Sequence, residues 1–278
     1  MDWLKQTLKA TLPSSLMDAA LHFNRNHLML YRRDTYSQEG EDLLISRVFD
    51  GKTSPGFYVD IGAFHPVCAS NTHLLYKRGW SGINIDPVPG TAALFKKRRP
   101  RDVNLEIGIS DTPGTMTYYM FDSAAQNTFG EEQRDFVLSQ RRNLIGTVPV
   151  QVERLDAVFS RHVPPNTSID FMDIDVESHE LQVLSSNDWN RFRPNVICLE
   201  MLMVRIDEIK DHPVGRFLAD MGYRPFAKLD NSTLFQEQDF CFSDRDFKDK
   251  YGSANVGLVG EGAEVVRVWP EQVRDRVA

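Results

Sequence analysis

Cysteine is scarce in this chain, with three in 278 residues. Cys68, Cys198 and Cys241 lie far apart and lack the C-x-x-C spacing of metal or redox sites, so they read as reduced, mostly buried thiols of a cytoplasmic protein. A basic excess is missing too: 39 Asp and Glu outnumber 32 Lys and Arg, for a net charge of -7. That leaves no electrostatic footprint for nucleic acid or an anionic membrane, and a phosphate-bearing partner would have to be met at a local site. Long apolar runs are absent. The opening "MDWLKQTLKATLPSSLMDAALHF" does not have the unbroken apolar stretch of a signal peptide, and no segment approaches the roughly 20 apolar residues of a spanning helix. The chain therefore reads as soluble, with 41% apolar residues to build one large core with appendages. Internal repeats and low-complexity tracts are also lacking.

What is present is a rhythm of short apolar runs and amphipathic stretches. "GFYVDIG", "GINID" and "VNLEIGI" read as strands, separated by helices over Asn71 to Gly79 and Thr91 to Arg99. Strand, helix, strand at this spacing predicts right-handed crossovers and a mostly parallel, doubly wound α/β sheet. Further on come "SIDFMDID", a helix from about Glu177 to Ser186, "NVICLE", a helix around Val214 to Met221, and the strand candidates "YRPFAKL" and "STLFQEQ". This domain spans residues 36–240. Residues 111–167 are too many for a simple connection and form an insertion after the third strand, with an edge strand in "TMTYYMF", a helix in "EEQRDFVLSQRRN", and "VPVQVERLDAVF" as a strand leading into a helix. Residues 1–35 form an N-terminal helical arm, with Leu4, Leu8 and Leu12 on one face and a break at Pro13, able to pack on the domain or pair in a homo-oligomer. Residues 241–278 form a cover segment.

The first strand runs into "VDIGAFHP" and the second ends in "NIDP". A strand with Asp60, a tight turn through Gly62 and an acid at Asp86 on the next strand tip is the plan of a nucleoside-binding crevice, with Asp86 facing a ribose diol. A dinucleotide needs three glycines to crowd backbone amides onto its pyrophosphate, and here Phe64 and Val67 stand at the second and third positions. S-adenosylmethionine carries no phosphate, and Asp60 can hold its ammonium, so this cofactor fits the turn better.

The segments "YSQEGEDLL", "YVDIGAFHPVCASNT", "KRGWSGINIDPVPG", "RPRDVNLEIGIS", "NTF" and "IDFMDIDVESHELQVLSSNDW" continuing to "RPNVICLE" resemble FkbM-type methyltransferases. The resemblance runs from about Tyr36 to Phe235. It implies the class I methyltransferase (Rossmann-like) fold, S-adenosylmethionine as cofactor, and O-methylation, often of a sugar or complex natural product. It implies cofactor binding by Asp60, Gly62, Ala63 and Asp86, with Ser70, Asn71 and Thr72 bracing the methionine end. Gln38 and Glu41 would close over the cofactor or the acidic cluster, with Asp42 beside them. Two departures stand out: Ser178 replaces the usual glycine of I-D-x-E-G, and Asp173 stands where a lysine or serine is common.

"IDFMDIDVESHEL" supplies the candidate chemistry. Strand alternation puts Asp173 and Asp175 on one face with Met172 and Ile174 opposite, and Glu177, His179 and Glu200 follow at or near the carboxyl edge. Three readings stay open here. Asp175 and Glu177 could cap the following helix, with Asp170 and Glu180 solvated and His179 on the surface; Asp175, Glu177 or His179 could be a general base; or Asp175 and Glu200, with Asp173 or His179, could hold Mg2+ or another divalent ion. His65, Asn127 and Phe129 are candidates to touch the acceptor. The expected function is an O-methyltransferase acting on a saccharide or small-molecule hydroxyl. The alternatives are a silent cofactor- or glycan-binding protein on the same fold and an NAD-dependent oxidoreductase.

Overall fold

The computed structural model describes residues 33–240 together with Leu16. Most of the expected N-terminal arm, the cover segment and Cys241 lie outside the described residues.

Helix α1 (Glu41–Val48) precedes an alternation of β1 (Phe57–Ile61), α2 (His73–Lys77), β2 (Ser81–Ile85), α3 (Thr91–Arg98) and β3 (Val103–Leu105). The chain continues through β4 (Gly108–Ile109), β5 (Gly114–Phe121), α4 (Glu131–Ser139), β6 (Leu144–Glu153) and α5 (Leu155–His162). It then forms β7 (Phe171–Ile174), α6 (Glu180–Ser185), β8 (Val196–Glu200), α7 (Pro213–Asp220), β9 (Tyr223–Leu229) and β10 (Ser232–Glu237). Seven strands form one sheet in the order β3-β2-β1-β7-β8-β10-β9. β1, β2, β3, β7 and β8 pair in parallel, while β10 runs antiparallel to both β8 and β9. The order turns around between β1 and β7, and in an open α/β sheet that switch point opens a crevice at the strand carboxyl ends.

The run "VNLEIGI", expected as one strand, divides between two sheets. β3 closes the large sheet, and β4 joins β6 and β5 in a small three-stranded sheet of order β4-β6-β5. Gly108 allows this transfer because a Cβ there would press on Phe129 and Val152.

Each face of the large sheet carries its own apolar layer. Val59, Ile61, Ile83, Met172, Ile174, Ile197 and Leu199 pack under α5, α6 and α7 through Leu155, Phe159, Val183, Leu184 and Leu218. On the opposite face Tyr58, Phe171, Val196, Cys198 and Leu234 meet Ile45, Phe49, Leu75 and Trp80. That second face is interrupted by a polar row, because the register aligns Asn104, Asn84, Asp60, Asp173 and Cys198 across five neighbouring strands.

Several local expectations change. Asp170 and Glu180, expected in solvent, are buried. Asp170 accepts from the Phe57 amide at 3.0 Å and pairs with Lys52 at 3.0 Å, which ties the entry of β7 to β1. Glu180 accepts from the Ser178 amide at 3.2 Å. The helix expected from Glu177 begins only at Glu180, with His179 at its N-cap, because Glu177 and Ser178 hold left-handed φ of 51 and 73. Those angles cannot continue into a right-handed helix. Cys198 is buried as expected, but Cys68 is exposed on the loop after β1.

Gly62 has φ 82, and a Cβ there would collide with the Asp175 carbonyl oxygen. Adding the left-handed penalty of an Ala to the overpacking, Gly62→Ala is expected to lower stability by roughly 2–5 kcal/mol in urea unfolding. A wild-type midpoint would contradict this close approach. Ser178→Gly should instead raise the midpoint by relieving about 1 kcal/mol of left-handed strain; a lower midpoint would mean that the Ser178 bond to Gln133 at 3.2 Å outweighs it.

Candidate active site

A cavity of about 330 Å³ opens at the carboxyl edge of the large sheet. Of the residues singled out from sequence, Gln38, Glu41, Asp60, Gly62, Ala63, Ser70, Asn71 and Asp86 line it. So do Asn127, Phe129, Asp173, Asp175, Glu177, His179 and Glu200. Three do not. Thr72 is buried behind the wall, where its hydroxyl donates to Asp60 Oδ2. His65 braces its own loop, its Nδ1 accepting from the amides of Val67 at 3.1 Å and Cys68 at 2.9 Å, so the expected acceptor contact at His65 is withdrawn. Asp42 also turns away, tying down residues 35–37 through Thr35, the Tyr36 amide and Ser37.

One end of the cavity is built by β1 and β2. The Gly62 and Ala63 amides donate to the Ile85 carbonyl at 2.9 and 3.1 Å, which locks the turn after β1 to the tip of β2. Asp86 Oδ2 accepts from the Phe64 amide at 2.8 Å and Oδ1 from the Val88 amide at 2.9 Å, so its carboxylate is aimed before any ligand arrives. Asp60 is fully enclosed, and burial pushes its pKa up to about 6 against the opposing pull of Arg99 and Thr72. Its register partner Asp173 is raised well above the usual range, by burial and then by the Asp60 charge. Asn71 donates to both Asp173 oxygens, at 3.2 and 3.0 Å.

The other end is acidic. One residue beyond the Ile174–Leu199 pairing of β7 and β8 stand Asp175 and Glu200, side by side. One carboxylate oxygen from each of Asp175, Glu177 and Glu200 lies within 4.8 Å of the others. This set corrects the expectation of Asp173 as a ligand: Asp173 sits one row deeper and is held by Asn71, while the left-handed turn carries Glu177 into its place. Burial is the main cause of the shifts that follow. Glu200 rises to about 10, helped by the Asp175 charge; Glu177 rises to about 8, with Asp175 again the next cause; and Asp175 rises to about 6. Glu200 Oε2 is buried without a hydrogen-bond partner.

His179 is buried rather than on the surface, 7% exposed. Its Nε2 lies 3.2 Å from Ser110 Oγ, and burial lowers its pKa, so the ring is neutral at pH 7. Phe129 stacks against Tyr118 at 4.6 Å and faces His179 at 6.0 Å. Asn127 Oδ1 accepts from the Phe121 amide at 2.8 Å, fixing the wall of the small sheet.

Sequence reasoning missed Tyr118, Ser110, Gln133 and Ser232. Tyr118 and Ser232 line the cavity, the first from β5 and the second from the β9–β10 hairpin opposite Glu200. Gln133 Nε2 donates to Glu177 Oε2 at 3.2 Å and so links the inserted helix to the acidic edge. Only Ser232 had a usable signal, since an antiparallel last strand beside β8 brings its first residue to Glu200.

A buried carboxyl with a raised pKa favours folding in its protonated form, so its contribution is lost as pH rises through the folded value. Asp175, Glu177 and Glu200 start that loss at about pH 4 and carry it to about pH 10. In chelator, Tm should fall by several degrees (~2–8 °C) across this window, and Glu177→Gln should flatten the fall. A Tm independent of pH would contradict the burial of these groups.

Similarities to solved structures are distant. A Burkholderia thailandensis 1,6-didemethyltoxoflavin-N1-methyltransferase, solved with 1,6-didemethyltoxoflavin and S-adenosylhomocysteine, is 11% identical, with 81% of this chain and 87% of that chain covered and a TM-score of 0.38. A Bacillus cereus O-methyltransferase solved with S-adenosylhomocysteine is 10% identical, with 84% and 95% covered and a TM-score of 0.35. A Geobacter metallireducens precorrin-6y C5,15-methyltransferase is 13% identical, with 70% and 89% covered and a TM-score of 0.33. A comparison with curated proteins finds no match. The Methyltransferase FkbM domain family matches residues 60–225, more than half of the sequence, with Asp60, Asp86, Asp173, Asp175, Glu177 and Glu200 inside the match, and the chain belongs to that family.

Proposed function

We propose that this protein moves a methyl group from S-adenosylmethionine to a hydroxyl of a saccharide. The observation that carries the reading is one cavity joining a nucleoside-type end, Asp60 and Asp86, to an acidic edge beside a neutral histidine. Bound S-adenosylmethionine supplies an electrophilic methyl on a sulfonium. Asp60 would accept from the ammonium of that ligand and Asp86 from its ribose hydroxyls, beside the turn at Gly62. Tyr118, Phe129 and Asn127 wall the acceptor side and keep water from the transfer. His179 has no capping bond, so with Nε2–H donated to Ser110 its lone pair on Nδ1 is the base for the hydroxyl proton.

The residues also fit a hard divalent ion. The donors are all carboxylate oxygens, and the unpartnered Glu200 Oε2 is a buried acceptor that a cation would satisfy. Asp175, Glu177 and Glu200 would hold the ion, which would acidify an acceptor hydroxyl. The saccharide assignment rests on the family resemblance and on this oxygen-rich edge, which suits vicinal hydroxyls. Cytoplasmic placement is supported by the free thiols at Cys68 and Cys198. Among the described residues no helix is long and apolar enough to cross a membrane.

Calorimetric titration should detect S-adenosylmethionine and S-adenosylhomocysteine binding and no NAD binding, and the reverse would refute the reading. Asp86→Ala should weaken S-adenosylhomocysteine by about tenfold or more, the cost of losing charge-assisted bonds. Asp175→Ala should abolish methyl transfer with that affinity largely kept. Excess Mn2+ or Mg2+ should raise Tm at alkaline pH in the wild type and not in Glu200→Gln; an unchanged wild-type Tm would remove the ion from the account.

A further inference from the structure

We infer that Arg99 is a positioning residue that sets the hydrogen-bond polarity at the Asp60 end of the cavity, making Asp60 an acceptor for an ammonium and Ser70 a donor to a carboxylate. The inference rests on the S-adenosylmethionine reading above, whose amino-acid part carries both groups.

Arg99 follows α3 and is 0% exposed, yet no carboxylate among the described residues forms a direct ion pair with it. Its donors go to neutral oxygens. Nε donates to the Pro66 carbonyl at 2.8 Å, Nη1 to Thr72 Oγ1 at 2.7 Å, and Nη2 to Ser70 Oγ at 2.7 Å. Nη1 also lies 3.4 Å from Tyr58 Oη and 3.3 Å from Asn84 Oδ1. A buried guanidinium needs compensation, and it has two acids each one hydroxyl away: Asp60 beyond Thr72, and Asp102 beyond Tyr58, whose hydroxyl donates to Asp102 at 2.6 Å.

The consequence lies in the protons. Thr72 has one hydroxyl hydrogen; with Arg99 donating to its oxygen, that hydrogen is given to Asp60 Oδ2. Asp60, which lines the cavity, is thereby favoured as a carboxylate and acceptor. Ser70 Oγ accepts from both Arg99 Nη2 and the His73 amide, the latter at 3.2 Å. With both lone pairs taken, Ser70 Oγ can act only as a donor, either to Thr72 Oγ1 at a long 3.4 Å or to a better acceptor in the cavity that it lines. Arg99 also favours the charged form of Asp60 against Asp86 from β2, Asp102 from the turn before β3, and Asp173 and Asp175 from the end of β7. The competing role, a brace for the α3–β3 turn through Pro66, would not distinguish one part of a ligand from another.

The test compares S-adenosylhomocysteine with 5′-methylthioadenosine, which keeps the nucleoside and lacks the amino-acid part. Calorimetric affinities for both are measured on wild type, Thr72→Val, Thr72→Ser and Arg99→Lys at about pH 6 and about pH 9. Thr72→Val is expected to weaken S-adenosylhomocysteine by about tenfold, to leave methylthioadenosine within about twofold, and to lose more at the lower pH, where Asp60 takes up a proton. Thr72→Ser should recover wild-type behaviour, and Arg99→Lys should follow Thr72→Val. Equal losses for both ligands, or a pH-independent loss in the near-isosteric Thr72→Val, would overturn the inference even if the Arg99 variant fails to fold. A wild-type protein that binds methylthioadenosine but gains nothing from the amino-acid part would also overturn it. Wild type binding neither ligand would refute the parent reading and this one with it.

Discussion

Parallel pairing of β1, β7 and β8 forces acids together at the carboxyl edge, and much of the site follows from offsetting their repulsion. The register sets Asp60 beside Asp173, and the next row sets Asp175 beside Glu200. Like charges this close, in a low-dielectric layer between apolar rows, do not all ionise without compensation. The deep row is balanced by neighbours of the chain itself: Thr72 and Arg99 for Asp60, and Asn71 for Asp173. Among the described residues no cation forms an ion pair with the outer row, and its pKa values rise with burial and mutual repulsion. The two rows therefore differ in how their charge is offset: the deep row within the chain, the outer row by holding Glu177 and Glu200 protonated at neutral pH.

Backbone conformation couples the two rows. Gly62 brings the turn after β1 against the Asp175 carbonyl, so the nucleoside end and the acidic end cannot move independently. The left-handed pair Glu177 and Ser178 then swings the chain out before α6, which carries Glu177 toward Glu200 and leaves His179 at the helix start. Thr128 and Gln133 from the inserted segment hold that turn in place, through the Glu177 carbonyl at 3.0 Å and its carboxylate at 3.2 Å. The insertion is therefore part of the site's wall and of its local geometry.

The fold was legible because its signals are local. Alternating apolar runs marked the parallel strands, and the missing glycines in "VDIGAFHP" separated a phosphate-free ligand from a dinucleotide. The acids on strand ends were legible for the same reason, since strand alternation fixes which residues share a face. What stayed hidden depends on contacts between distant segments. Nothing near Asp170 announces that it will accept from Phe57, and nothing near Tyr118 announces that the small sheet folds over the cavity. Glu177, and not Asp173, completes the carboxylate cluster with Asp175 and Glu200 because Glu177 and Ser178, the latter where a glycine is usual, both take a glycine-like φ. A sequence reading could name that departure without knowing which way the turn would go. Arg99 was invisible for a simpler reason: its task is carried through Thr72 and Ser70, and no spacing rule connects the three.

The central claim is that the cavity at the carboxyl edge of the large sheet holds S-adenosylmethionine with its amino-acid part against Asp60 and its reactive end turned toward Asp175 and His179. A crystal structure of the protein grown with S-adenosylhomocysteine tests it most directly. The account predicts the ammonium on Asp60, the ribose hydroxyls on Asp86, and the sulfur facing the acidic edge. Ligand density away from these three groups, or a reversed ligand with adenine beside Asp60, would contradict it.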